Sequence, residues 1–322
     1  MYTKLKTVSI ILLLFMSSCF CFAQENIWLS GDPPPQAKRV VRPSGMQHYM
    51  AFRNNRGQEK LILWPRNGDT PKGSSYIDSF NTEPEIFVVS PAGDLLEYNL
   101  STSDKGFALT YAFDLEGYHN IYFLWKEVRD ETLFVHVAKA ERLNHKCQNG
   151  HRSISGKIKV KSFPEIVPFE IIRNRFKPTE DFHLILASGN VASFSALENN
   201  EAIEDVEFIF VTEKGWSKTV NANEKGIAEF QIPEDYFSKM KELNKDETYH
   251  FLLTAKYSNS TSGEYQGKAY SKISYVCTYA GDYEPSPSLY KSSFWPIIII
   301  LFSTLAIGSF IFYSRSKRRR FY

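Results

Sequence analysis

The sequence predicts an all-β body, two tandem immunoglobulin-like β-sandwiches, followed by one C-terminal transmembrane helix. Three observations carry this. Short segments rich in β-branched and aromatic residues recur along most of the chain, punctuated by Gly, Pro, Asn and Asp. Aromatic residues make up 15% of the sequence, with 25 Phe and 18 Tyr, a supply suited to rings packing on pleated faces. Finally, Phe294 to Tyr313 contains no charged residue. At ~1.5 Å per residue its ~20 residues cover a hydrocarbon core of ~30 Å.

At the N-terminus, Lys4 and Lys6 precede the apolar run Val8–Met16, and small residues at Cys21 and Ala23 suit signal-peptidase cleavage. That order describes a secretory signal peptide over residues 1–23, because the apolar run is too short to cross a bilayer. A second reading lipidates Cys19 within the poor lipobox Met16-Ser-Ser-Cys19, adding a second tether. Residues 24–45 form a proline-rich, extended lead.

The first sandwich is expected over 46–140. Its strand candidates are Gln47–Phe52, Lys60–Trp64, Glu85–Ser90, Leu95–Leu100, Gly106–Phe113, His119–Trp125 and Thr132–Ala138. In the last of these, Leu133, Val135 and Val137 alternate with Phe134, His136 and Ala138, so both faces are apolar and the strand is buried. A polar junction, 141–156, leads to the second sandwich at 157–279. Its candidates are Lys157–Val160, Pro168–Ile172, Phe182–Ala187, Val191–Leu197, Val206–Thr212, Ser217–Asn221, Gly226–Ile232, Tyr249–Tyr257 and Lys268–Thr278. Residues 280–293, with Pro285 and Pro287, read as a stalk down to the helix at 294–313. Phe294, Trp295 and Tyr313 suit the two headgroup regions. The tail, 314–322, carries Arg315, Lys317, Arg318, Arg319 and Arg320. Basic clusters stay on the cytoplasmic side, which puts residues from about 24 to 293 outside the inner (plasma) membrane.

Net charge is +2, and the five-cation tail more than accounts for it. The exported part is therefore near neutral or slightly acidic, which argues against nucleic acid as a partner. There is no nucleophile elbow, phosphate-cradling glycine loop or His-Glu-x-x-His motif, so the expectation is a non-enzymatic protein.

The second strand series carries an ordered set of motifs: Pro168-Phe-Glu-Ile-Ile172, Asn174, Val206–Val211, then Asn223-Glu-Lys-Gly226-Ile-Ala-Glu-Phe230-Gln-Ile-Pro233 and Gly263-Glu-Tyr-Gln-Gly-Lys-Ala-Tyr270. Across residues 165–278 this order resembles the NikM-like family of exported immunoglobulin-like proteins associated with nickel, cobalt and other metal uptake. Family members often carry His just after the signal peptide, in a context like Ile27-Trp28-Leu29. Here Glu25 and Asn26 stand there instead. The resemblance implies a binding or accessory role beside a membrane transporter.

Two ligand sets fit a transition metal such as nickel, cobalt, copper or zinc. The first is His145, Cys147 and His151, thiolate and imidazole within one Gly-containing loop. Its competitor is a Cys147–Cys277 disulfide, favoured by an oxidising compartment and by the presence of only these two mature cysteines. A disulfide sulfur is no longer a thiolate, so the two readings exclude each other. The second set is Met46, His48 and Met50 on one face of a strand, for which a core role is the stronger account because Phe52 continues that face. Two functions stay open: an accessory component of a metal-uptake system, and an envelope interaction ectodomain without metal.

Overall fold

The computed structural model describes residues 26–35, 52–53, 59–103, 106–113, 115–144, 162–175, 186–234, 248–286 and 294–318. The described body is built of β-strands. In chain order these are β1 (Ile27–Ser30), β2 (Phe52–Arg53), β3 (Glu59–Asn67), β4 (Ser75–Tyr76), β5 (Glu85–Val89), β6 (Leu95–Tyr98), β7 (Ser101–Ser103), β8 (Gly106–Ala112), β9 (Gly117–Arg129) and β10 (Thr132–Asn144). Then follow β11 (Phe169–Asn174), β12 (Leu186–Ala187), β13 (Val191–Glu198), β14 (Glu201–Ala202), β15 (Glu207–Thr212), β16 (Ser217–Asn221), β17 (Ile227–Gln231), β18 (Tyr249–Asn259), β19 (Gly263–Tyr265), β20 (Lys268–Tyr270) and β21 (Lys272–Glu284). One helix, α1, spans Phe294–Arg318.

The two strand series do not form separate sandwiches. They meet in one nine-stranded sheet of order β16-β15-β18-β21-β10-β9-β5-β6, with β12 also pairing β21. The seam between the series is the parallel pair β10–β21, in register from Thr132↔Lys272 to Lys139↔Tyr279. A six-stranded sheet around β1-β3-β8-β7 packs on one face, and a four-stranded sheet, β11-β13-β14 with β17, packs on the other.

Side-chain alternation explains the layers. In β9, Ile121, Phe123 and Trp125 point into the core under β1, β3 and β8, while Tyr122 and Leu124 point into the opposite core. β10 does the same, with Val135 and Val137 on one side and Ala138 and Ala140 on the other. Strands covered on both faces must be apolar on both, as the sequence pattern of Thr132–Ala138 indicates. The larger core is aromatic. Phe194, Phe208, Phe210 and Phe230 are fully buried, and Phe210 stacks on Phe251 with ring centroids 4.6 Å apart. Each such ring contributes about 1.5–3 kcal/mol on burial.

The Asn223–Gly226 motif has a local reason. The Asn223 side chain accepts the N–H groups of Lys225 (2.9 Å) and Ile227 (3.1 Å), closing an Asx-type turn. Gly226 sits at φ +69°, with the Ile203 nitrogen only 2.9 Å from where a Cβ would stand.

Several boundaries differ from expectation. Ile27–Ser30, read as part of the lead, is a buried strand paired with β3. β10 runs on to Asn144, into the expected junction. β21 runs to Glu284, into the expected stalk, while Lys268–Tyr270 is split off as half of a separate hairpin. The candidates Gln47–Phe52 (all but its last residue) and Lys157–Val160 lie outside the described residues. Within α1, Trp295–Lys317 is long and apolar enough to cross a membrane, and none of its most apolar stretch is buried against the body.

Candidate functional site

The sequence-predicted ligands His145, Cys147 and His151, and Met46, His48 and Met50, lie outside the described residues. Cys277 is described. It projects from β21 into the larger core as a free, fully buried thiol, and burial pushes its pKa up to about 12. A thiol held neutral in this way is a poor metal ligand and a poor nucleophile.

Around Cys277 the apolar core turns into a buried polar seam. β10 continues its inward face past Val137 with Lys139 and Glu141, and β11 offers Glu170 and Arg173 opposite. Lys139 Nζ donates to Glu170 Oε2 at 2.8 Å, with the two side chains 0% and 1% exposed. It also donates to the Ile171 carbonyl at 3.0 Å. The hydroxyl of Tyr122 on β9 donates to the same Oε2 at 3.0 Å, and the Phe163 N–H donates to Oε1 at 3.0 Å. Burial first, and the Glu170 carboxylate second, raise the Tyr122 pKa well above the usual phenol value. This hydroxyl therefore stays a proton donor.

Farther along β10, Glu141 accepts from Arg175, whose guanidinium lies over the Tyr118 ring at 4.7 Å. Burial pulls the Arg175 pKa down, but Glu141, Tyr118 and Tyr279 together outweigh it and the net shift is upward. Burial lowers Arg142 to about 10 and raises Tyr279 to about 12. Charged groups buried this deeply persist only when paired and hydrogen-bonded, and Lys139–Glu170 and Glu141–Arg175 are such pairs.

Two further features lie outside the seam. His250 is clamped between two carboxylates, Nδ1 at 2.5 Å from Asp282 and Nε2 at 3.0 Å from Asp32. A surface cleft of about 310 Å³, lined by Asn81, Glu127, Arg129, Tyr265, Gln266 and Lys268 among others, opens between the end of β9 and the β19–β20 hairpin. Among the described residues, no group of three or more His, Cys, Asp or Glu converges as a metal site. Glu201, Glu204, Asp205 and Glu207 are exposed, the solvated face expected of an acidic stretch with no calcium-loop pattern.

Sequence reasoning missed the seam because its partners are distant in the chain. Lys139 and Glu170 are 31 residues apart, and Glu141 and Arg175 are 34 apart. The available signal was charge within an otherwise apolar strand pattern, Lys139 and Glu141 directly after Val137-Ala138.

No family model and no curated protein matches the chain. Among solved structures, a study of host cell surface retention by a 1.5-MDa bacterial ice-binding adhesin is similar at 10% identity, covering 70% of this chain, with a TM-score of 0.21. The chain spans 58% of that structure. A two-domain fibronectin type-III segment from chicken tenascin is similar at 10% identity, covering 78% of this chain and 96% of that one, with a TM-score of 0.19.

Proposed function

We propose that this chain is a single-pass, membrane-anchored ectodomain that works by binding rather than catalysis, as an accessory component of a transition-metal uptake system. The export signal, the basic tail and the resemblance of residues 165–278 to the NikM-like family support the location and the role. Ligation falls to His145, Cys147 and His151, which follow directly on the end of β10.

The observation that carries the metal reading is the position of Cys277. Its register partner in β10 is Val137, and β10 stays paired with β9 all the way to Asn144. Seven residues of strand place Asn144 about 23 Å beyond Val137. The three residues from Asn144 to Cys147 reach back about 11 Å at most. Disulfide Cα atoms stand within about 7 Å of each other. That reach disfavours a Cys147–Cys277 staple and supports Cys147 as an available thiolate. Cys277, as a free thiol in the core, agrees with this.

The test is metal content and thiol count on the full-length protein purified in detergent and exposed in turn to Ni²⁺, Co²⁺, Zn²⁺ and Cu⁺. Stoichiometric binding that is lost in His145→Ala, Cys147→Ser or His151→Ala supports the proposal. No binding of any of the four ions by a folded protein overturns it in favour of an interaction ectodomain without metal.

A further inference from the structure

Lys139 and Glu170 stand on different layers: β10 lies in the central sheet and β11 in the sheet that covers it. Their side chains meet in the dry interior with Nζ 2.8 Å from Oε2. The carboxyl carbon is one carbon–oxygen bond beyond that oxygen, which places Nζ within about 4 Å of it. The surrounding donors are arranged as for acyl transfer. The Phe163 N–H points at Oε1, where an oxyanion would develop. The Tyr122 hydroxyl points at Oε2, the oxygen that would leave. The Ile171 carbonyl accepts a second hydrogen of Nζ and fixes the amine.

We propose that Lys139 and Glu170 condense with each other to form a side-chain amide, a self-made covalent bond between the central and covering sheets. The ammonium passes one proton to Oε2 along their 2.8 Å hydrogen bond, giving an amine and a carboxylic acid. Nζ then attacks the carboxyl carbon. The N–C bond forms and an electron pair moves onto Oε1, against the Phe163 N–H. A second proton leaves nitrogen for Oε2, with the Tyr122 hydroxyl bonded to that oxygen throughout. The C–Oε2 bond breaks and water departs. One ammonium and one carboxylate are consumed, one amide and one water are formed, and no oxidant, metal or co-reactant takes part. The product holds no charge in the core, so the desolvation cost of the ion pair is removed.

An unreacted ion pair and the amide differ by one water, so mass spectrometry separates them. The full-length protein, denatured and digested, is expected to yield a branched peptide containing Lys139 and Glu170, lighter by one water than the sum of its two arms. Glu170→Gln releases ammonia instead and arrives at the same linked product. Lys139→Ala and Glu170→Ala give only linear peptides, and Tyr122→Phe lowers the linked fraction at early times after synthesis. Recovery of Lys139 and Glu170 only in separate linear peptides from the folded wild-type protein overturns the proposal, and that measurement does not depend on any variant folding.

Discussion

His136 offers a direct probe of the interior, because it is a titratable group buried where ionisation is costly. Its ring, on β10, is 1% exposed and lies against Trp125 with centroids 5.2 Å apart. Neither ring nitrogen has a hydrogen-bond partner, and the Trp125 indole N–H is likewise unpaired. Burial, and then the Arg129 guanidinium, lower its pKa from the ordinary 6.5 to about 4. The sign follows from proton counting. Between these two values the unfolded chain binds a proton that the folded chain refuses, so stability is full above pH 6.5 and is lost as the pH falls toward 4. A shift from 6.5 to about 4 corresponds to about 3 kcal/mol in total. About 2 kcal/mol of it disappears between pH 8 and pH 5.

His136→Phe keeps a ring beside Trp125 and cannot be protonated. Urea unfolding of the full-length protein in detergent, followed by circular dichroism at pH 8 and pH 5, gives the pH cost for each protein. The difference between wild type and variant cancels the other titrating groups. The expected result is a wild-type loss about 2 kcal/mol larger than that of the variant. At pH 8 the variant should be as stable as wild type or better, since two unsatisfied ring nitrogens have left the core. Equal losses in the two proteins would refute the claim that this histidine is held neutral by burial.

Other consequences of the packing can be checked in the same assay. Phe210→Ala removes a fully buried ring stacked on Phe251 and tilted against Phe230 and should cost about 3–5 kcal/mol. Gly226→Ala forces a side chain onto φ +69° and against the Ile203 backbone, so a loss of about 1–2 kcal/mol is expected. Lys126→Ala breaks an exposed 3.2 Å pair with Glu85 and should move stability by less than about 1 kcal/mol. Cys277 should resist a thiol reagent in the native protein and react only on unfolding, read by counting labelled thiols in a Cys147→Ser background.

How far the sequence reveals the fold depends on what each strand faces. Strands with one face in the core and one in solvent are legible from period two: Ile227–Gln231 alternates buried Ala228 and Phe230 with more exposed neighbours. The sequence pattern ends β10 at Ala138 because Lys139, Glu141 and Arg142 read as a polar linker. In the fold they are buried, and Lys139 and Glu141 are matched to Glu170 and Arg175, a compensation visible only across the layers. The sequence ends β21 at Thr278 for a different reason: residues 280–293, with Pro285 and Pro287, read as a stalk. Gly281 is nonetheless in the strand, with the Phe251 ring occupying the place of a Cβ, 2.5 Å from its ideal position. Asp282 is consumed by His250. β1 is hard to read because its apolar content is only Ile27, Trp28 and Leu29, followed closely by a proline run. The parallel pairing of β10 with β21 is beyond any local pattern, since period and turn chemistry do not specify which distant strand becomes a neighbour.

That pairing determines how the body can assemble. β21 is the last described strand before α1, yet it lies in the middle of the central sheet, between β18 and β10. β1 is the first described strand, and its Ile27 carbonyl accepts the Thr278 hydroxyl of β21 at 2.7 Å, across 251 residues of chain. The His250 clamp repeats this closure, joining Asp32 just after β1 to Asp282 near the end of β21. The larger core, which contains Tyr279 and Tyr283, therefore cannot be complete until β21 has been made. Contacts of such sequence separation form late, because loop-closure entropy is lost before they give any return. Strands β5 to β10 would meanwhile expose the edge of β10 that β21 covers. A covalent tie between β10 and β11 would act after this step, holding the covering sheet on a central sheet that β21 has completed.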